Sequence, residues 1–199
     1  MVLLDDFSGL SLVLLAGIAL LLVMVSNWKS LLILLALLYA GETLLISESW
    51  PISIVVVKLI AGWMAVGMLG LTVWSGREED WKLSSPGLPR LVFRGLSAVL
   101  VGVSVISFYG EARQWFLGAS PTQIYGGLFL FGLGLVQLGL SRQPLRIILG
   151  LLTVMAGFEI LYATVEGSLL MTILLGSLNL GIAFVGSYLL SVSDEEPLL

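Results

Sequence analysis

The chain contains no cysteine and no histidine. Without cysteine it cannot form disulfides, iron–sulfur clusters or thiolate metal sites, and without histidine it lacks the commonest ligand of haem, metals and chlorophyll. We therefore expect it to hold no cofactor and no metal.

Charged residues are also scarce, at 11% of the chain, whereas 58% of residues are hydrophobic and the mean hydropathy is +1.09. These values exclude a soluble domain, and 199 residues leave room for about six to eight spans of about 20 residues each. The fold class predicted is an all-α integral membrane protein. Its N-terminus has no basic region and carries Asp5 and Asp6, so the first apolar run is predicted to be a retained span and not a cleaved signal peptide.

Clusters of polar and turn residues divide the sequence into about seven apolar segments. The predicted spans are 7–26, 29–47, 52–75, 91–109, 121–140, 145–164 and 168–191. Most of the connections between them are short, as expected of antiparallel neighbours.

The basic residues predict the orientation, because translocation disfavours lysine and arginine in short loops. If the N-terminus lies outside the cell, only Arg113 is in an outer loop and only Lys58 is in a span. The C-terminus is then cytoplasmic, in a protein of the plasma membrane. The basic residues placed on the inner side are Lys29, Arg77, Lys82, Arg90, Arg94, Arg142 and Arg146. Tryptophans at the span ends, Trp28 and Trp74 inside and Trp50 and Trp115 outside, are predicted interfacial anchors, whereas Trp63 is predicted to pack between helices.

A shift of 117 residues aligns the first three spans with the last three and pairs Glu42 with Glu159. We therefore predict two parallel three-helix repeats joined by an extra helix. The predicted domains are a first repeat at 1–75, an inner loop and linking helix at 76–120, and a second repeat with a short acidic tail at 121–199. The loop at 76–90 mixes both signs of charge with two prolines; it is either a solvated linker or a docking segment for a cytoplasmic partner.

Glu42 lies deep within an apolar run, where a carboxylate costs several kcal/mol and marks a functional site facing the protein interior. Lys58 lies in the next run, and both residues are eight positions from Trp50. An antiparallel helix pair brings them to one depth, so we predict that they are in contact. The pair is either a structural ion pair or a switch that hands a proton along a polar path.

Glu159 lies equally deep in the sixth span, but residues 173–175 at matching depth on the next span include no base. We therefore expect Glu159 to be neutral, or to be paired with another helix or another subunit, and to carry a proton. The polar side chains that could extend a hydrogen-bonded route are Tyr39, Gln137, Tyr162 and Asn179.

Three short motifs resemble a known family. Residues 38–44 (LYAGETL) and 56–60 (VVKLI) are similar to the first half of the component E subunits of group 4 membrane hydrogenases. Residues 141–151 (SRQPLRIILGL) resemble the second half, and also the K-type subunit of complex I and the C-type subunit of multisubunit sodium/proton antiporters. The resemblance covers roughly 26–70 and 141–191. It implies three-helix units that carry a buried glutamate of a proton path.

The function predicted from these features is that of a membrane subunit of an ion-translocating complex, to which it contributes a buried Glu/Lys proton path. Its partners would be other membrane subunits of the antiporter-like kind, with no nucleic acid, and it would not be an enzyme alone. The alternative is a structural or stress-related membrane protein in which the buried charges only fix helix packing. A self-contained solute transporter is less favoured, because no interrupted helices occur at matching places in the two halves.

Overall fold

The computed structural model describes residues 2–75 and 87–193. Within these ranges the regular structure is helical throughout, in agreement with the all-α part of the predicted class. The helices are α1 (Val2–Met24), α2 (Trp28–Ile46), α3 (Ile52–Ser75), α4 (Leu88–Trp115), α5 (Pro121–Leu140), α6 (Pro144–Ala163) and α7 (Leu169–Ser193). The loop prediction for 76–90 falls largely on residues 76–86, which lie outside the described residues, as does the acidic tail at 194–199.

Helix starts are set by local capping residues. Asn27 is the N-cap of α2, and its side chain accepts a hydrogen bond from Lys29 N at 3.1 Å. Ser120 and Gln123 form a reciprocal capping box at the start of α5. Proline occupies the first turn of α4, α5 and α6, where its missing N–H costs no helical hydrogen bond.

Among the residues whose side chains the structure describes, six helices, α2 to α7, are long and apolar enough to cross a membrane. For α1 these residues are Gly9–Met24, which are also apolar. The predicted bounds agree with the observed ones within a few residues except at the start of α1, which is Val2 instead of 7, and at α4. Helix α4 runs from Leu88 to Trp115 instead of 91–109. It extends because Pro89 is tolerated in a first turn and residues 111–114 include good helix formers.

The helices of the first half pack against those of the second half. Helix α1 contacts α5, α2 contacts α6, and α3 contacts α7, while α4 packs on α5 and α1. The tightest pair is α5 with α6, where a Cβ atom added to Gly134 would lie 2.6 Å from Val154 N. Close helix packing is the usual role of glycines within an apolar span; Gly134 has this role here, whereas Gly139 has open space beside it.

Two tryptophans differ from their predicted positions. Trp50 is buried, and its indole Nε1 donates to the Glu166 carbonyl oxygen at 3.1 Å, so it joins two loops and is not an exposed anchor. Trp63, expected to pack between helices, is exposed over about half its surface while its indole N–H reaches Ala36 O. An indole N–H can donate to a carbonyl of a neighbouring helix even when most of the ring lies on the surface. The sequence pattern does not reveal this arrangement.

Candidate functional site

Four helices bring charged and polar side chains together in the interior. Glu42 of α2, Lys58 of α3, Glu159 of α6 and Asn179 of α7 are all buried, with at most 6% of their surface exposed. We call these four residues the Lys58 cluster. All four had been singled out from the sequence, although their convergence at one point had not been predicted.

The predicted contact between Glu42 and Lys58 is confirmed, since Lys58 Nζ lies 2.7 Å from Glu42 Oε1. The short connection between α2 and α3 makes these helices neighbours. Because both residues are eight positions from Trp50, they come to the same depth. The carboxylate is fully buried, so without Lys58 its charge would be uncompensated inside the protein.

Of the alternatives expected for Glu159, the structure shows pairing with a residue of another helix. A basic partner exists within the chain, because Lys58 Nζ also donates to Glu159 Oε2 and forms an ion pair with it. The expectation considered only the span that follows Glu159 in sequence, whereas the partner comes from α3, 101 residues away. Helices α2 and α7 each pack against both α3 and α6, which brings Lys58 within reach of Glu159.

Asn179 completes the cluster from α7. Its Nδ2 donates to Glu159 Oε1 at 3.0 Å, so both carboxylate oxygens of Glu159 have a donor. Glu42 is less well satisfied, because Oε1 has only the ion pair with Lys58 and Oε2 has no hydrogen-bond partner. The Asn179 Oδ1 atom is also buried without a partner.

Tyr39 lies one turn before Glu42 on α2 and is 1% exposed, with its hydroxyl buried and unpartnered. Its ring packs against the α3 backbone at Gly62, where an added Cβ would lie 2.7 Å from Tyr39 Cδ1. Gly62 is one turn beyond Lys58, so this glycine lets the ring lie beside the cluster. Sequence reasoning missed Gly62, because the sequence of an apolar span does not show which side chain will pack against a given glycine.

Two of the other polar candidates lie elsewhere. Gln137 donates to Arg146 O at 3.2 Å, far along α6 from Glu159. Tyr162 donates to Glu166 Oε2 at 2.7 Å, and this hydrogen bond holds the pKa of the exposed Glu166 carboxyl below its usual range. Neither residue contacts the Lys58 cluster through a hydrogen bond in the described part of the chain.

The charges of the cluster do not balance when all three ionisable groups are charged. Two carboxylates face one ammonium, which leaves one negative charge in excess inside the protein. One bound proton would make the cluster neutral, and an uncompensated buried charge is costly. The arrangement can therefore hold a proton between two carboxylates that share one lysine.

Comparison with family models, with curated proteins and with solved structures finds no match to this chain. The family resemblance of the short motifs remains a prediction.

Proposed function

We propose that this chain is a membrane subunit of an ion-translocating complex of the group 4 hydrogenase or complex I type, to which it contributes a buried proton path. The chain would not be an enzyme alone. The observation that carries the proposal is the position of Lys58, which is paired with carboxylates from both halves of the chain.

Burial supports a role in proton transfer. A structural ion pair needs one acid and one base, and Glu42 with Lys58 already satisfies that need. Adding Glu159 brings a further negative charge into the interior, where charged groups are expensive and tend to be functional. A proton that moves between Glu42 and Glu159 would neutralise the cluster in either position, with Lys58 paired to the carboxylate that remains ionised.

Unpartnered polar atoms beside the charges support a route into the cluster. Tyr39 OH, Glu42 Oε2 and Asn179 Oδ1 are buried without a hydrogen-bond partner. Buried polar atoms in native proteins are normally satisfied by protein groups or by ordered water. Water bound to these atoms would extend the hydrogen-bonded chain beyond Glu42 and Glu159.

The pairwise packing of the two halves is consistent with the repeat that we propose for 1–75 and 121–199. Each of α1, α2 and α3 contacts the helix that the shift of 117 residues assigns to it. The shift pairs Glu42 with Glu159 but Lys58 with Leu175. On this proposal the carboxylates are the shared feature of the two repeats, and Lys58 belongs to the first repeat alone.

On this proposal the protein lies in the plasma membrane, with its N-terminus outside the cell and its C-terminus in the cytoplasm. Antiporter-like membrane subunits would be its partners within the bilayer. Purifying the tagged chain in a mild detergent and identifying what comes with it tests this part directly. Large antiporter-like subunits are expected, and their absence would favour the structural alternative.

The proton path is tested by Glu159→Gln in vesicles that contain the purified complex. Glutamine keeps the shape of the side chain; its carbonyl oxygen can still accept from Lys58, and its NH2 group can donate to Asn179 Oδ1 once the Asn179 amide turns over, so folding and assembly should be retained. Because an amide cannot cycle a proton, proton uptake should be lost or sharply reduced. Glu111→Gln, which removes an exposed carboxylate on α4, is the matched control and should keep full uptake. Undiminished uptake in the Glu159 variant would remove this residue from the path.

The second candidate function is a structural or stress-related membrane protein in which the charges fix helix packing. The donors that satisfy both oxygens of Glu159 favour it, because a fully paired carboxylate can also serve as a permanent joint between helices. If the charges only fix helix packing, Glu159→Gln should leave the stability of the protein and any proton uptake of its assembly unchanged, and only a large apolar replacement should do harm.

A further inference from the structure

The Lys58 cluster lies much closer to one end of its helices than to the other. Glu42 is four residues before the end of α2 but fourteen residues after its start. Glu159 is placed in the same way, four residues before the end of α6. At 1.5 Å per residue, both carboxylates are about 6 Å from one helix end and more than about 20 Å from the other. The shortest way between the cluster and water therefore leads past the loops at 47–51 and 164–168, which we call the loop end.

Trp50 lies on this shortest way. Its side chain is only 4% exposed and belongs to the buried core, although it comes from a loop. The indole Nε1 donates to Glu166 O in the facing loop, and a Cβ added to Gly167 would lie 3.4 Å from the indole Cδ1. One of these loops joins α2 to α3 and the other joins α6 to α7. The ring therefore lies between the two helix pairs that supply the cluster.

A layer of apolar side chains separates the ring from the charges. Ile46, Val55 and Ala163 each lie one turn from the cluster residue of their own helix, on the same face and toward the loop end. All three are buried, with at most 7% of their surface exposed. Movement of the Trp50 ring would bring water to this layer, and water there would be one helical turn from the cluster.

The backbone next to Trp50 is held independently of the indole. Gln123 on α5 donates from Nε2 to Leu45 O and to Ser49 Oγ, each at 2.8 Å. These bonds fix the chain just before Trp50 to a helix outside the cluster. The ring can therefore turn away through its own side-chain torsions, with loss of its hydrogen bond to the facing loop but without movement of the backbone.

We propose that Trp50 is the gate of the Lys58 cluster, and that water and protons reach the cluster from the loop end when the indole leaves its place between the two loops. With the gate closed, a proton held by the cluster is isolated from water; with the gate open, it can exchange. On the proposed orientation the loop end faces the outside of the cell. The use of the gate in proton transfer rests on the proposed function, whereas its control of water access does not.

A single thiol placed below the gate tests this access. Val55→Cys gives the chain its only cysteine, one turn from Lys58. A thiol reacts as its thiolate, which burial in apolar surroundings suppresses, so labelling by a small charged methanethiosulfonate requires water at the site. In the purified full chain in mild detergent, labelling should be slow while Trp50 is present. Trp50→Ala should raise the rate at least about tenfold, because the rate follows the fraction of time that the path is open. Trp50→Phe keeps a ring but lacks the indole donor, and should give an intermediate rate.

Two controls separate a gate from a general loosening of the fold. Ala65→Cys replaces a fully buried residue two turns beyond Lys58, away from the loop end, and should stay unreactive in every background. Trp74→Ala removes an indole that is 79% exposed and should leave the Val55→Cys rate unchanged. Equal Val55→Cys rates with and without the Trp50 indole would overturn the proposal. Parallel rises in Val55→Cys and Ala65→Cys would show that Trp50 holds the whole fold together, and would overturn it as well.

The thiol measurement does not depend on pumping, since it uses the isolated chain. Normal proton uptake in Glu159→Gln vesicles would remove the proton path, and the labelling rates would still decide whether Trp50 controls access to the cluster. Lost uptake in Glu159→Gln combined with labelling rates that do not respond to Trp50 would support the proton path and refute the gate.

Discussion

Lys58 Nζ lies 2.7 Å from Glu42 Oε1 and also donates to Glu159 Oε2, so one ammonium group joins carboxylates from helices in the two halves of the chain. Removing Lys58 would leave two buried negative charges unbalanced, which is more than removing either carboxylate would leave. Its two partners are 0% and 1% exposed, so water cannot take over the role of the lysine without entering the interior.

The first prediction concerns the energetics of this triad. Lys58→Met should destabilise the protein by about 3–5 kcal/mol, because it leaves two buried carboxylates without a cation. Adding Glu42→Gln should recover part of the loss, and adding Glu159→Gln as well should recover most of it. Thermal unfolding in detergent gives the comparison, with Arg142→Met at an exposed site as the control. Strictly additive losses would show that the three residues do not interact.

The second prediction concerns Asn179. Asn179→Leu keeps a similar size but removes the donor that lies 3.0 Å from Glu159 Oε1, and should destabilise by about 1–3 kcal/mol. Asn179→Asp should cost more, since it adds a third carboxyl to the cluster. Ser177→Ala is the control, because the exposed Ser177 hydroxyl bonds only to Ile173 O of its own helix. Equal stability of Asn179→Leu and Ser177→Ala would refute the importance of this hydrogen bond.

The third prediction concerns the fit of Tyr39 against α3. Gly62→Ala would place a Cβ 2.7 Å from Tyr39 Cδ1 and Cγ, so it should destabilise by about 1–3 kcal/mol. Combining it with Tyr39→Leu should restore part of the stability. Gly67→Ala on the same helix meets open space and should be neutral or stabilising, because alanine favours helix more than glycine does. Thermal unfolding of the four proteins gives the answer, and a harmless Gly62→Ala would mean that the ring is free to move.

The fourth prediction concerns orientation. The natural chain has no cysteine, so a single introduced thiol reports unambiguously on its side of the membrane. Ser84→Cys should resist a membrane-impermeant thiol reagent applied to intact cells and react after the membrane is opened. Leu117→Cys, at a position 91% exposed between α4 and α5, should react from outside. The reverse pattern would invert the proposed topology.

The sequence predicts the helices well because their limits are local. Polar clusters, prolines and capping residues such as Asn27 and Ser120 mark where each helix begins. The contact between Glu42 and Lys58 can also be predicted from nearby sequence, because both residues lie the same number of positions from Trp50. Features of this kind can be predicted from the pattern of apolar, polar and turn residues along the chain.

The contacts between the two halves could not be predicted in the same way. Glu159 meets Lys58 across 101 residues, and Arg146 meets Val23 across 123. These pairs depend on which helices become neighbours, and apolar spans of similar composition do not specify that order. The burial of Trp50 and the packing of the Tyr39 ring over Gly62 also depend on which helices become neighbours.

The separation of the cluster residues in the chain also orders events during synthesis. Lys58 follows Glu42 within a single hairpin, whereas Glu159 emerges from the ribosome 101 residues after Lys58. If these helices span a membrane as proposed, the hairpin of α2 and α3 can enter the bilayer with Lys58 already matched by one acid. The second carboxylate arrives only with the sixth helix, so under the proposed function the cluster would take up its exchangeable proton when the two halves of the chain come together.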